Sequence, residues 1–127
     1  MSTTTEATLA LAKRFFDAIE KGDIDTVAAI YAPDAIIWHN NDGLATSRAD
    51  NLKVLSGFIK AVPERRYLDR RVGAFDGGFV QQHLLKGRLA NGKELSLACC
   101  IICAVKDGRI TRLDEYFDSA ALAVFRN

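Results

Sequence analysis

Three turn signals, Asp76-Gly77-Gly78, Asn91-Gly92 and Asp107-Gly108, divide the second half of this chain into four extended segments. Asn-Gly and Asp-Gly favour the tight turns that join antiparallel strands, so the chain from Tyr67 onward reads as an antiparallel meander. The first half has a different period. Ala12, Phe16 and Ile19, beside Leu11, Phe15 and Ala18, form a wide helical stripe from about Thr5 to Lys21, which Gly22 stops. Asp23 can cap a second helix that carries Val27, Ile30 and Tyr31 until Pro33. A short extended run, Ala35 to His39, follows. Ser47 with Asp50 makes a capping pattern for a third helix carrying Leu52, Leu55, Phe58, Ile59 and Val62, which ends before Pro63. Ser2 to Thr5 reads as a small polar tail.

Helices first and sheet second define an α+β layer structure. Three N-terminal helices cover one face of a curled, mainly antiparallel sheet, and a cone-like cavity can remain between them. With 127 residues, the chain suits one domain spanning 1–127, burying roughly 65% of its unfolded surface. Hydrophobic residues make up 49% and charged residues 26%, with a formal net charge of +1. That balance supplies no long-range field to attract nucleic acid or anionic lipid. Arg65, Arg66, Arg70 and Arg71 are the densest basic group, but Glu64 and Asp69 interleave them, so they read as a solvated strand edge. The longest apolar stretch, Leu97 to Val105, is far shorter than the ~20 residues of a membrane-spanning helix. Glu6 and Lys13 interrupt the hydrophobicity near the start, which does not read as a secretion signal. A cytoplasmic location is expected by default.

Cys99, Cys100 and Cys103 invite a metal or disulfide reading that strand geometry rejects. Cys99 and Cys100 point to opposite faces, and Cys99 and Cys103 lie ~13 Å apart at ~3.3 Å per residue, too far for one zinc or a disulfide. They read as reduced thiols used as small apolar side chains. The last strand is more informative. Period-2 alternation puts Leu113, Glu115 and Phe117 on one face and Arg112, Asp114 and Tyr116 on the other. A carboxylate between two apolar residues on a core-facing side is costly to bury without a partner.

The order of elements, Lys21-Gly22-Asp23 between the first two helices, the Tyr31-Ala32-Pro33-Asp34-Ala35 link, and Asp107-Gly108-Arg109-Ile110 leading to Glu115-Tyr116-Phe117-Asp118 resemble the nuclear-transport-factor-2-like superfamily of cystatin-like folds. The SnoaL-like group, beside ketosteroid isomerase and limonene epoxide hydrolase, is the most similar branch. The resemblance covers nearly the whole chain and specifies the fold better than the reaction. In ketosteroid isomerase, a tyrosine on the first helix and a protonated aspartic acid on a strand stabilise an enolate while a second aspartate moves the proton. The matching positions here are Phe15, about Ile101, and His39, so steroid isomerisation is disfavoured. In limonene epoxide hydrolase, an arginine between two aspartates surrounds an attacking water. The matching positions are His83, Leu85 and Glu115, and leucine leaves that triad incomplete.

His39, His83 and Glu115 remain, each at a position that faces the cavity in the relatives. Strand parity agrees, since Ile37 and His39 share a face, as do Gln81, His83 and Leu85. An imidazole with an ordinary pKa of about 6.5 can give or take a proton at neutrality, and a carboxylate bonded to it would orient the ring. These three are the candidate catalytic residues. Tyr67, Gln81 and Asn40 are candidate polar contacts, and Phe15, Trp38, Leu85 and Phe117 candidate apolar wall, for a small, largely apolar ligand.

The leading reading is a small-molecule enzyme using acid-base chemistry, of the isomerase, cyclase or hydratase-hydrolase kind. It needs no organic cofactor, since there is no Gly-rich phosphate loop, and no metal is assigned. The same residues could instead satisfy one another in a non-catalytic ligand-binding domain or a dimeric scaffold. A two-histidine, one-carboxylate metal site is a weaker alternative. The extended segment between Asn91-Gly92 and Asp107-Gly108 is apolar on both faces, with Ala98, Cys100, Ile102 and Ala104 outside. Leu84, Ile102 and Tyr116 would make an outer patch that a second copy could cover, so a homodimer is expected.

Overall fold

The computed structural model describes residues 2–126 and shows α1 (Ser2–Lys21), α2 (Ile24–Ile30), β1 (Tyr31–His39), β2 (Ala45–Ser47) and α3 (Arg48–Ala61). Then come β3 (Glu64–Phe75), β4 (Gly78–Arg88), β5 (Glu94–Lys106), β6 (Arg109–Phe117) and a 3-10 helix (Ser119–Phe125). The helices pack on a curved sheet that does not close, ordered β2-β1-β6-β5-β4-β3. β3 to β6 form the expected meander, and β1 adds to β6 in parallel. At the Asp107-Gly108 turn both residues take positive φ, 53° and 74°, as a two-residue hairpin of this hand requires.

The helix boundaries follow from local hydrogen bonding. Gly22 adopts φ +75°, letting its own N–H and that of Asp23 donate back to the carbonyls of Ile19 and Ala18. That closes α1 in a Schellman motif. Asp23 then caps α2 by accepting from the Thr26 amide at 3.1 Å, and Ser47 caps α3 by accepting from that of Asp50 at 3.2 Å.

Four expectations change. α1 begins at Ser2, where a tail was expected. α2 ends before Tyr31, which opens β1 opposite Ile110; an irregularity in register between Tyr31 and Ile36 lets Pro33 sit in the strand. β2 and the 3-10 helix carry no strong periodicity and went unforeseen. Finally, Arg65 and Arg70 do not line a solvated edge. The Arg65 guanidinium donates to the carbonyls of Ile19, Glu20, Ile59 and Val62 at 2.7–3.2 Å, tying the C-terminal ends of α1 and α3 together. Arg70 bridges Asp17 at 2.7 Å and Glu20 at 3.1 Å.

Two apolar clusters fill the concave side. Phe15, Phe16, Ile30, Ile37, Phe79 and Ile110 centre the first, under α1 and α2. Val62, Leu85, Leu95 and Leu97 centre the second, under α3 and the 3-10 helix. Tyr67 packs against both. β5 alternates as expected, with Leu97, Cys99, Ile101 and Cys103 buried and Ala98, Ile102 and Ala104 exposed. Ile102 and Tyr116 keep 40% and 46% of their surface exposed on the outer face.

Candidate functional site

Between the two clusters the concave side leaves a cavity with two chambers. The outer one, about 280 Å³, is walled by α3, the Asn41–Leu44 loop, β4 to β6 and the 3-10 helix. A smaller inner one, about 70 Å³, reaches toward Phe15, Tyr31 and Ile101. His39, Asn51, Leu55, Tyr67 and Glu115 line both.

His39 and Glu115 meet because β1 and β6 run parallel in a register that pairs these two residues directly. Same-face neighbours on adjacent strands lie within side-chain reach. The His39 imidazole Nε2 lies 2.9 Å from Glu115 Oε1, with 27% and 17% of the two side chains exposed. The hydrogen bond to Glu115 raises the His39 pKa; burial opposes the rise, and the charges of Glu115 and Asp42 reinforce it. The charged imidazolium is therefore favoured more than in a free imidazole, next to a carboxylate that accepts from it.

His83 occupies a different environment. Its ring is 5% exposed and packs edge-to-face on Tyr67 at 4.6 Å and Phe16 at 5.1 Å, and it contributes to the wall of neither chamber. Burial pushes its pKa down to about 4, with Glu115 opposing and Arg70 adding to the fall, so the ring is neutral at pH 7. Its Nδ1 contacts Gln81 Nε2 at 3.0 Å, while Nε2 is buried with no partner among the described residues. His83 is thus close to the pair without facing the cavity. Three strands carry same-face residues together, so parity placed it on the correct side but not at the correct depth.

The remaining candidates separate cleanly. Phe15 lines the inner chamber, Leu85 and Phe117 the outer one, and Tyr67 both. Gln81, 1% exposed, reaches neither and instead holds His83. Trp38 is a correction: it alternates with Ile37 and His39, so it lies on the outer face against Tyr116 at 5.2 Å. Asn40 is another. Its side-chain amide donates to the Phe117 carbonyl at 2.9 Å and accepts from the Phe117 N–H at 3.1 Å, extending the ladder rather than facing a ligand.

Asn51 and Tyr31 were missed. The Tyr31 hydroxyl donates to Asn51 Oδ1 at 3.0 Å, and both side chains are buried against the inner chamber. A polar residue in the i, i+4, i+7 stripe Asn51, Leu55, Phe58 was the available signal. Leu122 and Phe125 of the 3-10 helix and Asp42 of the loop also line the outer chamber and had no such signal. His39, Asp42 and Glu115 are the acidic and basic side chains lining the two chambers among the described residues.

The SnoaL-like domain profile matches residues 12–113, and the chain belongs to that family, within the NTF2-like superfamily. An uncharacterized protein of Mycobacterium tuberculosis is 28% identical over 134 residues, covering 96% of this chain and 98% of the relative. Among solved structures, a candidate polyketide cyclase from Xanthomonas campestris pv. campestris superposes with TM-score 0.83 at 23% identity, covering 93% of this chain and 95% of that one. An LEH-like epoxide hydrolase from M. tuberculosis superposes with TM-score 0.79 at 21% identity, covering 93% and 87%. At these identities the structures establish the shared fold.

Proposed function

We propose that this chain is a small-molecule enzyme of the isomerase, cyclase or hydrolase kind that moves protons with the His39–Glu115 pair. One observation carries the reading: the hydrogen-bonded pair lines both chambers of an otherwise mainly apolar concave side. Glu115 is the base that takes a proton from the ligand. His39 holds the carboxylate in place and, when protonated, supplies an acid at 2.9 Å from it. The outer chamber, at about 280 Å³, suits a ligand at or below the small end of the drug-sized range. Cyclase and epoxide hydrolase descriptions among the structural neighbours support small-molecule chemistry, and they belong to those proteins.

The test is turnover of a panel of small cyclic ketones, unsaturated ketones and epoxides, followed by mass spectrometry, with wild type, E115Q and H39N compared. Loss of a positioned acid or base should slow the reaction by about 10²–10⁴-fold. Saturable binding with no turnover of any panel member would select the ligand-binding reading instead, and E115Q turning over like wild type would remove Glu115 as the base.

A further inference from the structure

His83, Cys99 and Glu115 lie side by side on the concave faces of β4, β5 and β6. His83 and Cys99 are direct partners across β4 and β5, and Glu115 is two residues from Phe117, the partner of Cys99 on β6. One donor atom from each residue falls within 4.8 Å of the others. Strand parity had set Cys99 aside by comparing it with the other cysteines along its own strand; the neighbours that matter are across the sheet.

The second observation is the imidazole. His83 Nε2 is a buried side-chain nitrogen with no hydrogen-bond partner among the described residues, in a residue that is 5% exposed. Buried polar atoms are nearly always satisfied, so an orphan in a cluster of ligand-type donors needs an explanation. Gln81 engages Nδ1, which fixes the ring and leaves Nε2 as the ligating nitrogen. Glu115 gives one oxygen to His39 and has a second to offer.

We propose that His83 Nε2, Cys99 Sγ and a Glu115 carboxylate oxygen bind a zinc-class divalent cation. The nitrogen, sulfur and oxygen set favours a borderline-soft ion over magnesium or calcium, which take oxygen ligands. Tetrahedral zinc, with bonds of about 2.0–2.3 Å, holds its ligands roughly 3.5 Å apart, so the three side chains must close by about 1 Å. A fourth position stays open for water. The Cys99 thiol releases its proton to solvent as the sulfur–metal bond forms. His83 ligates as neutral imidazole with its proton on Nδ1, which Gln81 can accept through Oε1 once its amide turns over. His39 would brace Glu115 from behind, as carboxylate ligands are usually braced. A bound cation also competes with the ligand-facing role of Glu115, making the ion an inhibitor of the proton transfer proposed above.

The experiment titrates chelator-stripped protein with ZnCl₂ by calorimetry and with CoCl₂ by absorbance. Wild type should bind one ion per chain, raise its melting temperature with zinc, and give a thiolate-to-cobalt charge-transfer band. C99S and H83N should each lose the site, Q81L should bind about 10–100-fold more weakly, and C100S, on the opposite sheet face, should match wild type. Absence of one-to-one binding at micromolar metal, or uptake with no charge-transfer band in wild type, overturns the proposal without relying on any variant folding. Uptake that survives C99S overturns it too. None of these readouts involves a substrate, so failure here leaves the E115Q and H39N turnover result standing on its own.

Discussion

The His39–Glu115 pair should contribute stability with a definite pH signature. Two unit charges about 4 Å apart at an effective dielectric of about 20 attract by about 4 kcal/mol, an upper bound before side-chain ordering and desolvation. Exposed ion pairs yield less than about 1 kcal/mol, and hydrogen bonds to charged groups about 1.5–3 kcal/mol. With side chains 27% and 17% exposed and an Nε2–Oε1 distance of 2.9 Å, the pair belongs with the second group. A coupling of about 1.5–2 kcal/mol is expected. H39N and E115Q keep shape while removing charge, so a double-mutant cycle by urea denaturation, with chelator present, isolates the term. Because folding raises the His39 pKa above 6.5, the coupling should be fully present below pH 6.5 and decline as pH rises through the raised value. A coupling below about 0.5 kcal/mol, or one that does not change across that window, would refute the reasoning.

Removing Arg65 as R65A should cost about 2–4 kcal/mol in urea denaturation, because four carbonyls at two helix ends lose a charged donor; a loss under about 1 kcal/mol would contradict that role. L97W should fill the outer chamber and weaken binding of any cavity ligand at least about tenfold, at a folding cost of about 1–3 kcal/mol from overpacking; unchanged affinity would place the ligand elsewhere. A second copy covering Ile102, Tyr116 and half-buried Leu84 predicts that wild type scatters light as a dimer and I102R as monomer or aggregate; a monomeric wild type at micromolar concentration ends that idea.

Much of this architecture was legible because its signals are local. Gly92 and the Asp107-Gly108 pair mark hairpins through positive φ, and Gly22, Asp23 and Ser47 mark helix ends through hydrogen bonds within a few residues. The Leu113–Glu115–Phe117 face was readable from period two alone. What escaped depends on contacts distant in sequence. β2 exists because β1 offers it an edge, Arg65 is a helix tie because α1 and α3 end beside it, and the 3-10 helix is held over the second apolar cluster. His83 marks the boundary between the two kinds of knowledge: its face followed from parity, but its burial comes from rings distant in sequence, Tyr67 and Phe16, packed on it. Trp38 shows that one-residue alternation outranks a general liking for aromatics in cavities.

Solvent deuterium incorporation tests the central claim most directly, because it isolates proton transfer from whatever product follows. A small ketone first shown by NMR to bind in the cavity is incubated with the protein in deuterium oxide, and exchange at the carbon beside the carbonyl is followed. Wild type should accelerate exchange over buffer, and E115Q should lose about 10²-fold or more of that acceleration while still binding the ketone. Exchange by E115Q at the wild-type rate, or no acceleration by wild type for any bound ketone, would contradict the assignment of Glu115 as the base.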